Sequence, residues 1–192
     1  SSSILSLCDN VFIGEKFFYY AELALEKMRN TGCCIFGLSV PDPEKFGVIE
    51  LDDNGNITGI EEKPLKPKSN LITPGMYFFD SEAKSLVKDL KPSHRGELEV
   101  IDLIKIYLKN QKLELQKLDD SIIWHDAGNA QSLLSASKEV QKYEIENGIK
   151  IGSYEIAAFE KGLIGISDLD KIADKFTNSE YGIFIKNYIK KL

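Results

Sequence analysis

The stretch Ser121–Gly128 reads SIIWHDAG, and it marks the point at which strand character leaves the chain. Its apolar core, β-branched and aromatic, has the composition of a short strand. The strand runs into Asp126, and the small pair Ala127-Gly128 follows. A carboxylate at the exit of an apolar strand is either a cap for the next helix or a ligand for something positively charged. Downstream the spacing is helical: Asn129 is placed to cap AQSLLSASKEVQKYEIEN, Gly148 to stop it, and Ser167 with Asp170 has capping-box spacing. Upstream, strands and helices mix. An apolar run SILSL precedes the helical pattern EKFFYYAELALEKMRN, which ends at Gly32. CCIFGLSV follows, then two runs joined at Asn54-Gly55, a hairpin signal. MYFFD, a helix with Ser81 as its N-cap, the helical repeat LEVIDLIKIYLKN and the strand-like KLELQKL complete this part. The pattern predicts an α/β layer over residues 1–128 and a helical C-terminal appendage over 129–192.

Composition bounds the function. At 192 residues and 43% hydrophobic content the chain can bury roughly 70% of its unfolded surface, enough for one substantial core. A net charge of −6 with lysines scattered among acids argues against a nucleic-acid groove, so any bound anion must be held by a few local cations. Cys8, Cys33 and Cys34 are odd in number and form no CxxC pair, which argues against a disulfide framework or zinc site and for a reducing compartment. There is no apolar span of about 18 residues and no basic leader with an apolar segment, so the expected location is the cytoplasm, with no membrane partner.

Three constellations carry chemistry. Asp9 and Asp126 each follow an apolar strand-like run, and the crevice at the carboxyl ends of strands in open α/β sheets is where ligands bind. Together they could hold Mg²⁺, which takes one or two carboxylates and completes its shell with water and phosphates; separately, each could simply cap a turn. In IEEKP, Lys63 could meet a phosphate and Glu62 sugar hydroxyls, or the segment is a solvated charge cluster. Simple alternation sends Glu62 and Lys63 to opposite faces, so both can line one pocket only if the strand twists or breaks at Pro64. In KPSHRGELEVID, Arg95 is either an anion clamp or the ion-pair partner of Glu97. His94 reads as exposed, His125 either packs under the turn or faces the metal, and Trp124 reads as core rather than as a stacking platform. No Walker lysine and no G-x-G-x-x-G is present.

Taken in order, DNVFIG, DPEKFGVIELDDNGNITGIEEKPLKPKSN, GMYFFD, KPSHRGELEVIDLIKIYL and WHDAGNAQSLLSAS resemble the bacterial glucose-1-phosphate thymidylyltransferases, sugar nucleotidyltransferases that open dTDP-rhamnose synthesis. The resemblance implies a Rossmann-like mixed sheet of the nucleotide-diphospho-sugar transferase type, and Mg²⁺ as cofactor on Asp9 and Asp126. It further implies a sugar-phosphate pocket containing or bordered by Gly47, Glu62, Lys63, Thr73, Tyr77, Arg95 and Trp124, with Lys63 on the phosphate. The partners it implies are glucose 1-phosphate and dTTP or dTDP-glucose, in a homo-oligomer, a tetramer in that family.

Several positions depart from the family pattern. Cys8, His125 and Ala127 replace a glycine, an apolar residue and a threonine, and Pro74 stands where threonine is common. Phe159 stands where the family's secondary nucleotide site has arginine, which argues against feedback by the nucleotide sugar. The family's glycine-rich nucleotide-gripping loop has no counterpart in these residues, so the expectation is an incomplete catalytic unit that is inactive alone. The alternative from another class is a non-catalytic sugar-phosphate-binding or assembly subunit.

Overall fold

The computed structural model describes residues 1–93 and 96–192; the candidate residues His94 and Arg95 lie outside the described residues. The chain forms two compact units, Ser1–Ala136 and Ser137–Leu192. In the first, β1 (Ser3–Ser6) and β2 (Asn10–Ile13) lead to α1 (Phe17–Thr31) and β3 (Cys33–Ser39). The hairpin β4 (Gly47–Leu51) and β5 (Ile57–Glu62) follows, then β6 (Leu71–Thr73) and β7 (Met76–Phe79). After the single turn α2 (Ala83–Leu86) come α3 (Val100–Lys109), β8 (Leu113–Lys117) and β9 (Ile123–Asp126). The long helix α4 (Ala130–Asn147) carries residues of both units, and α5 (Tyr154–Glu160), α6 (Ile166–Lys175) and α7 (Glu180–Ile189) complete the second.

The spine of the main sheet is β3. Its run CCIFGLS is apolar at every position up to Leu38 because both faces are covered. Cys33 and Ile35 face a cluster with Ile101, Ile104 and Tyr107 of α3, while Cys34 and Phe36 face Ala24 and Met28 of α1. The two neighbouring cysteines therefore belong to opposite layers, and burial pushes both thiols far up, Cys34 to about 12. One edge of β3 pairs with β8 in parallel, from Cys33 opposite Leu113 to Gly37 opposite Lys117. Among the described residues this is the only parallel pair, so the sheet is mixed.

The other edge of β3 is shared by β7 and β6, in effect one strand interrupted at Pro74-Gly75. Proline brings no ladder donor, and Gly75 takes φ +37°, a left-handed value that favours glycine. The register slips across the break: Ile35 lies opposite Tyr77, whereas Leu38 lies opposite Ile72. On the far side β7 pairs with β1, and β6 pairs with β4. The sheet thus forks at Gly75, and β1 and β4 diverge from it. A separate two-stranded ribbon, β2 with β9, sets Asn10 opposite Asp126 and Phe12 opposite Trp124.

Local signals held where the backbone had one way to satisfy itself. Gly32 (φ +124°) and Gly148 (φ +64°) close α1 and α4, and Asn129 Oδ1 accepts from the Ser132 N–H as the α4 cap. Two expected caps moved. Asp80, not Ser81, accepts from the backbone ahead of α2, at Glu82 N (2.9 Å). Asp168, not Asp170, reaches back to Gly165 N (3.2 Å), so α6 starts earlier and Ser167 lies inside it. In the second unit Ile156, Leu169, Ala173 and Ile185 form the core, and Phe159 sets its ring edge-on to Tyr188. The buried Glu155 accepts a hydrogen bond from the Tyr181 hydroxyl. No helix among the described residues is long and apolar enough to cross a membrane.

The end of α3 carries a correctable strain. Lys112 N donates to Tyr107 O (2.9 Å), closing the helix through Gln111, which sits at φ +56° where glycine is the usual residue. Left-handed backbone costs a residue with a β-carbon about 1–2 kcal/mol, partly offset by the unfolded-state entropy of glycine. Gln111→Gly is expected to stabilise the protein by about 0.5–1 kcal/mol in urea unfolding; a lower midpoint would show that the Gln111 side chain contributes more than its backbone costs.

Candidate functional site

The fork opens a cleft of about 150 Å³ between the end of β1, the start of β4 and the β2–β9 ribbon. Eight of the nine candidate residues line it: Asp9, Gly47, Glu62, Lys63, Thr73, Tyr77, Trp124 and Asp126. The ninth, Arg95, lies outside the described residues. A larger hollow along β8, at the other edge of β3, contains none of them.

Asp9 and Asp126 meet although 117 positions separate them. Ala127 N donates to Asp9 O (2.7 Å), extending the β2–β9 ladder by one rung and setting the two aspartates side by side. Asp9 Oδ2 and Asp126 Oδ1 lie 3.4 and 2.9 Å from the point where a β-carbon on Gly128 would stand. A side chain at 128 would fill the space they share. Gly128 N donates to Asp126 Oδ1 (2.9 Å), and Asn10 Nδ2 donates to Asp9 Oδ1 (2.8 Å). Two converging carboxylates, each held by one neutral donor, with space left between them, are a donor set suited to a hard divalent cation. The set is a pair: among the described residues no group of three or more histidine, cysteine, aspartate or glutamate side chains is placed to hold a metal ion, here or elsewhere.

Lys63 resolves the alternation problem. It takes φ +45° immediately after β5, so the chain turns out of the strand and delivers Glu62 and Lys63 to the same cleft. This left-handed backbone is held by a hydrogen bond from Lys63 N to Phe46 O (2.9 Å). Keeping a residue with a β-carbon in that region costs of order 1–3 kcal/mol, and here, unlike at Gln111, the turn delivers two charged side chains to a cleft. The Lys63 ammonium stands 3.8 Å from Glu62 Oε1, half-exposed at the cleft mouth. Gly47 lies beneath: a β-carbon there would come within 2.8 Å of Ile101 and 3.0 Å of Thr73, so only glycine leaves the floor open.

Thr73 and Tyr77 form the inner wall. Thr73 Oγ1 is buried without a hydrogen-bond partner of good geometry, although the Tyr77 hydroxyl is near enough to influence it. Burial first, and the negative charge of Glu62 second, hold the Tyr77 hydroxyl well above its ordinary range, so it stays protonated as a neutral donor. Trp124 is not simply a core side chain. Half-buried, it packs edge-on against Phe46 with ring centroids 5.0 Å apart and sends its Nε1–H to Asn10 Oδ1 (2.8 Å). His125, between Trp124 and Asp126, is not among the cleft residues, because strand alternation turns it to the other face of the ribbon; its Nε2 is buried with no partner among the described residues.

Asn10, Gly75 and Lys45 also line the cleft, and sequence reasoning did not single them out. Asn10 directly follows Asp9, and Pro74-Gly75 is a turn signal inside a strand pattern, so two of the three carried a readable sign. Lys45 pairs with Asp42 beside it.

Comparison with known proteins places the chain in a family. The family model described as "Nucleotidyl transferase" matches residues 1–143. A protein of Neisseria gonorrhoeae named glucose-1-phosphate thymidylyltransferase is 38% identical over 187 residues, 97% of this chain and 64% of its own length. One of the same name from Xanthomonas campestris is 36% identical over 189 residues, 98% of this chain and 63% of its own. The chain therefore spans less than two thirds of the length of these relatives. A Bacillus anthracis protein crystallised with sucrose superposes with a TM-score of 0.60 at 37% identity, over 71% of this chain and 53% of that one. A UDP-glucose pyrophosphorylase crystallised with UDP-glucose shares the fold, with a TM-score of 0.64 at 18% identity over 73% and 56%. The forked mixed sheet and its cleft sit within the matched segment, and the chain belongs to the nucleotidyl transferase family.

Proposed function

We propose that this chain forms the sugar-phosphate and cation-binding part of a glucose-1-phosphate thymidylyltransferase, which makes dTDP-glucose and pyrophosphate from dTTP and glucose 1-phosphate. The observation that carries the reading is the strained Lys63, turned into the same cleft as the Asp9–Asp126 pair. A monosaccharide phosphate needs one positioned cation for its phosphate and a few fixed polar groups for its hydroxyls, and the cleft supplies both. Lys63 holds the phosphate, Glu62 accepts from sugar hydroxyls, and the protonated Tyr77 and the Thr73 hydroxyl beside it present polar groups on the inner wall. The shared name of the relatives supports this choice of sugar and nucleotide.

In the reaction a phosphate oxygen of the sugar phosphate attacks the α-phosphorus of the nucleotide and pyrophosphate leaves. The protein's part is positioning and electrostatics. Lys63 fixes the nucleophile, and the backbone at Gly47 lets the sugar approach the sheet. Mg²⁺, held by Asp9 and Asp126, would supply neutralising charge to the phosphates.

Lys63→Ala is expected to weaken glucose 1-phosphate binding by roughly 1.5–3 kcal/mol, the value of a charge-assisted hydrogen bond, and to leave binding of unphosphorylated glucose unchanged in calorimetric titration. Equal losses for both ligands would mean that the pocket has collapsed and that Lys63 is not a phosphate anchor.

Asp126→Asn keeps an oxygen to accept from Gly128 N and removes only charge. In a preparation that releases pyrophosphate from dTTP and glucose 1-phosphate, it should lower turnover by about 100-fold or more with almost no change in melting temperature. An undiminished rate would return Asp126 to a capping role.

A further inference from the structure

We infer that Asn10 is a positioning residue that couples Trp124 on the cleft wall to the Asp9 carboxylate, and so sets the cation affinity of a pair it does not belong to. This rests on the reading of Asp9 and Asp126 as a cation site. The argument starts from donor chemistry. Indole Nε1–H can only donate, so the group facing it must be an acceptor. Trp124 Nε1 lies 2.8 Å from Asn10 Oδ1, which fixes the orientation of an amide that could otherwise flip. With its oxygen committed to Trp124, Asn10 has only its amide protons for Asp9, and Nδ2 lies 2.8 Å from Asp9 Oδ1. That bond holds the Asp9 carboxylate with Oδ2 toward Gly128, where Asp126 also faces.

The fold reserves room for this relay. Asn10 and Asp126 are opposite each other in the β2–β9 ladder, and Phe12 opposite Trp124, so Trp124, Asn10 and Asp126 share one face of the ribbon. From the other side the sheet fork leans on the same amide: a β-carbon on Gly75 would strike Asn10 Cγ and Nδ2 at 2.6 Å. The amide is thus clamped between the fork and the indole and has one orientation. Groups that orient a metal ligand typically change metal affinity 10–100-fold when removed.

The test is a titration of the 192-residue chain with Mn²⁺, read as free ion by electron paramagnetic resonance, with circular dichroism and thermal unfolding as folding controls. Wild-type protein should bind, and Asp126→Asn should abolish binding. Asn10→Ala and Trp124→Phe should each weaken binding about 10-fold although neither removes a carboxylate of the pair. Because Trp124 acts through Asn10, the double variant should bind no more weakly than Asn10→Ala alone, whereas independent structural damage would add. Wild-type affinity in Trp124→Phe, or additive losses in the double variant, would overturn the relay and leave the aspartate pair standing. Failure of the wild-type chain to bind Mn²⁺, or binding that Asp126→Asn leaves intact, would overturn the cation reading itself and the relay with it.

Discussion

The break at Pro74-Gly75 is the constraint on which the rest of the first unit depends. A continuous strand from Leu71 to Phe79 would pair along its whole length on both edges, and the sheet would be closed where the cleft now lies. Proline withholds one ladder donor and Gly75 takes a backbone that residues with a β-carbon avoid, so the register slips and the outer neighbours separate into β1 and β4. The ends of those strands become the walls of the site. The same glycine leaves room for the Asn10 amide, so one residue fixes both the gap in the sheet and the closeness of the ribbon packed beside it.

The second determinant is long-range pairing. Asp9 lies near the start of the first unit and Asp126 near its end, and β2 with β9 brings them together. Strand β9 is anchored nearby: Asp119, in the loop before it, accepts from the Ser121 hydroxyl, from Lys16 Nζ (3.0 Å) and from Ser121 N (3.0 Å), and these hydrogen bonds, the hydroxyl's first, hold its carboxyl below the usual range. The pairing is thus held by backbone ladder and loop together. The cleft that results is mixed in charge. Three carboxylates, Asp9, Glu62 and Asp126, stand with Lys45 and Lys63 around about 150 Å³. In an acidic chain such a cleft concentrates two cations locally, and a few placed charges at close range set a local potential that net charge does not describe.

Much of the architecture could be read from local pattern. The doubly covered strand at Cys33–Ser39, the hairpin at Asn54-Gly55, the caps at Asn129 and Gly148 and the change to helix after residue 128 follow from turn chemistry and from periodicity, which act over a few residues. The caps at Ser81 and Ser167 did not hold, because a neighbouring carboxylate reached the free N–H first. Competition of that kind is settled by an ångström of backbone path, which residue spacing does not specify.

The sequence by itself determined the class of fold, the residue types available for phosphate and cation, and, through its motifs, the family. Each rests on short-range preferences or on the order of motifs along the chain. Read residue by residue, the sequence left open whether the two aspartates meet, whether Glu62 and Lys63 turn to the same side and whether Trp124 is core, and only the family resemblance pointed to one pocket. Tertiary structure decided how these side chains come together and added Asn10 to the cleft. Strand pairing across more than a hundred residues joins Asp9 to Asp126, and a left-handed backbone at Lys63 is held by a carbonyl from another element. Contacts of this kind have no signature in the spacing of residues, because they arise only when distant segments are packed together.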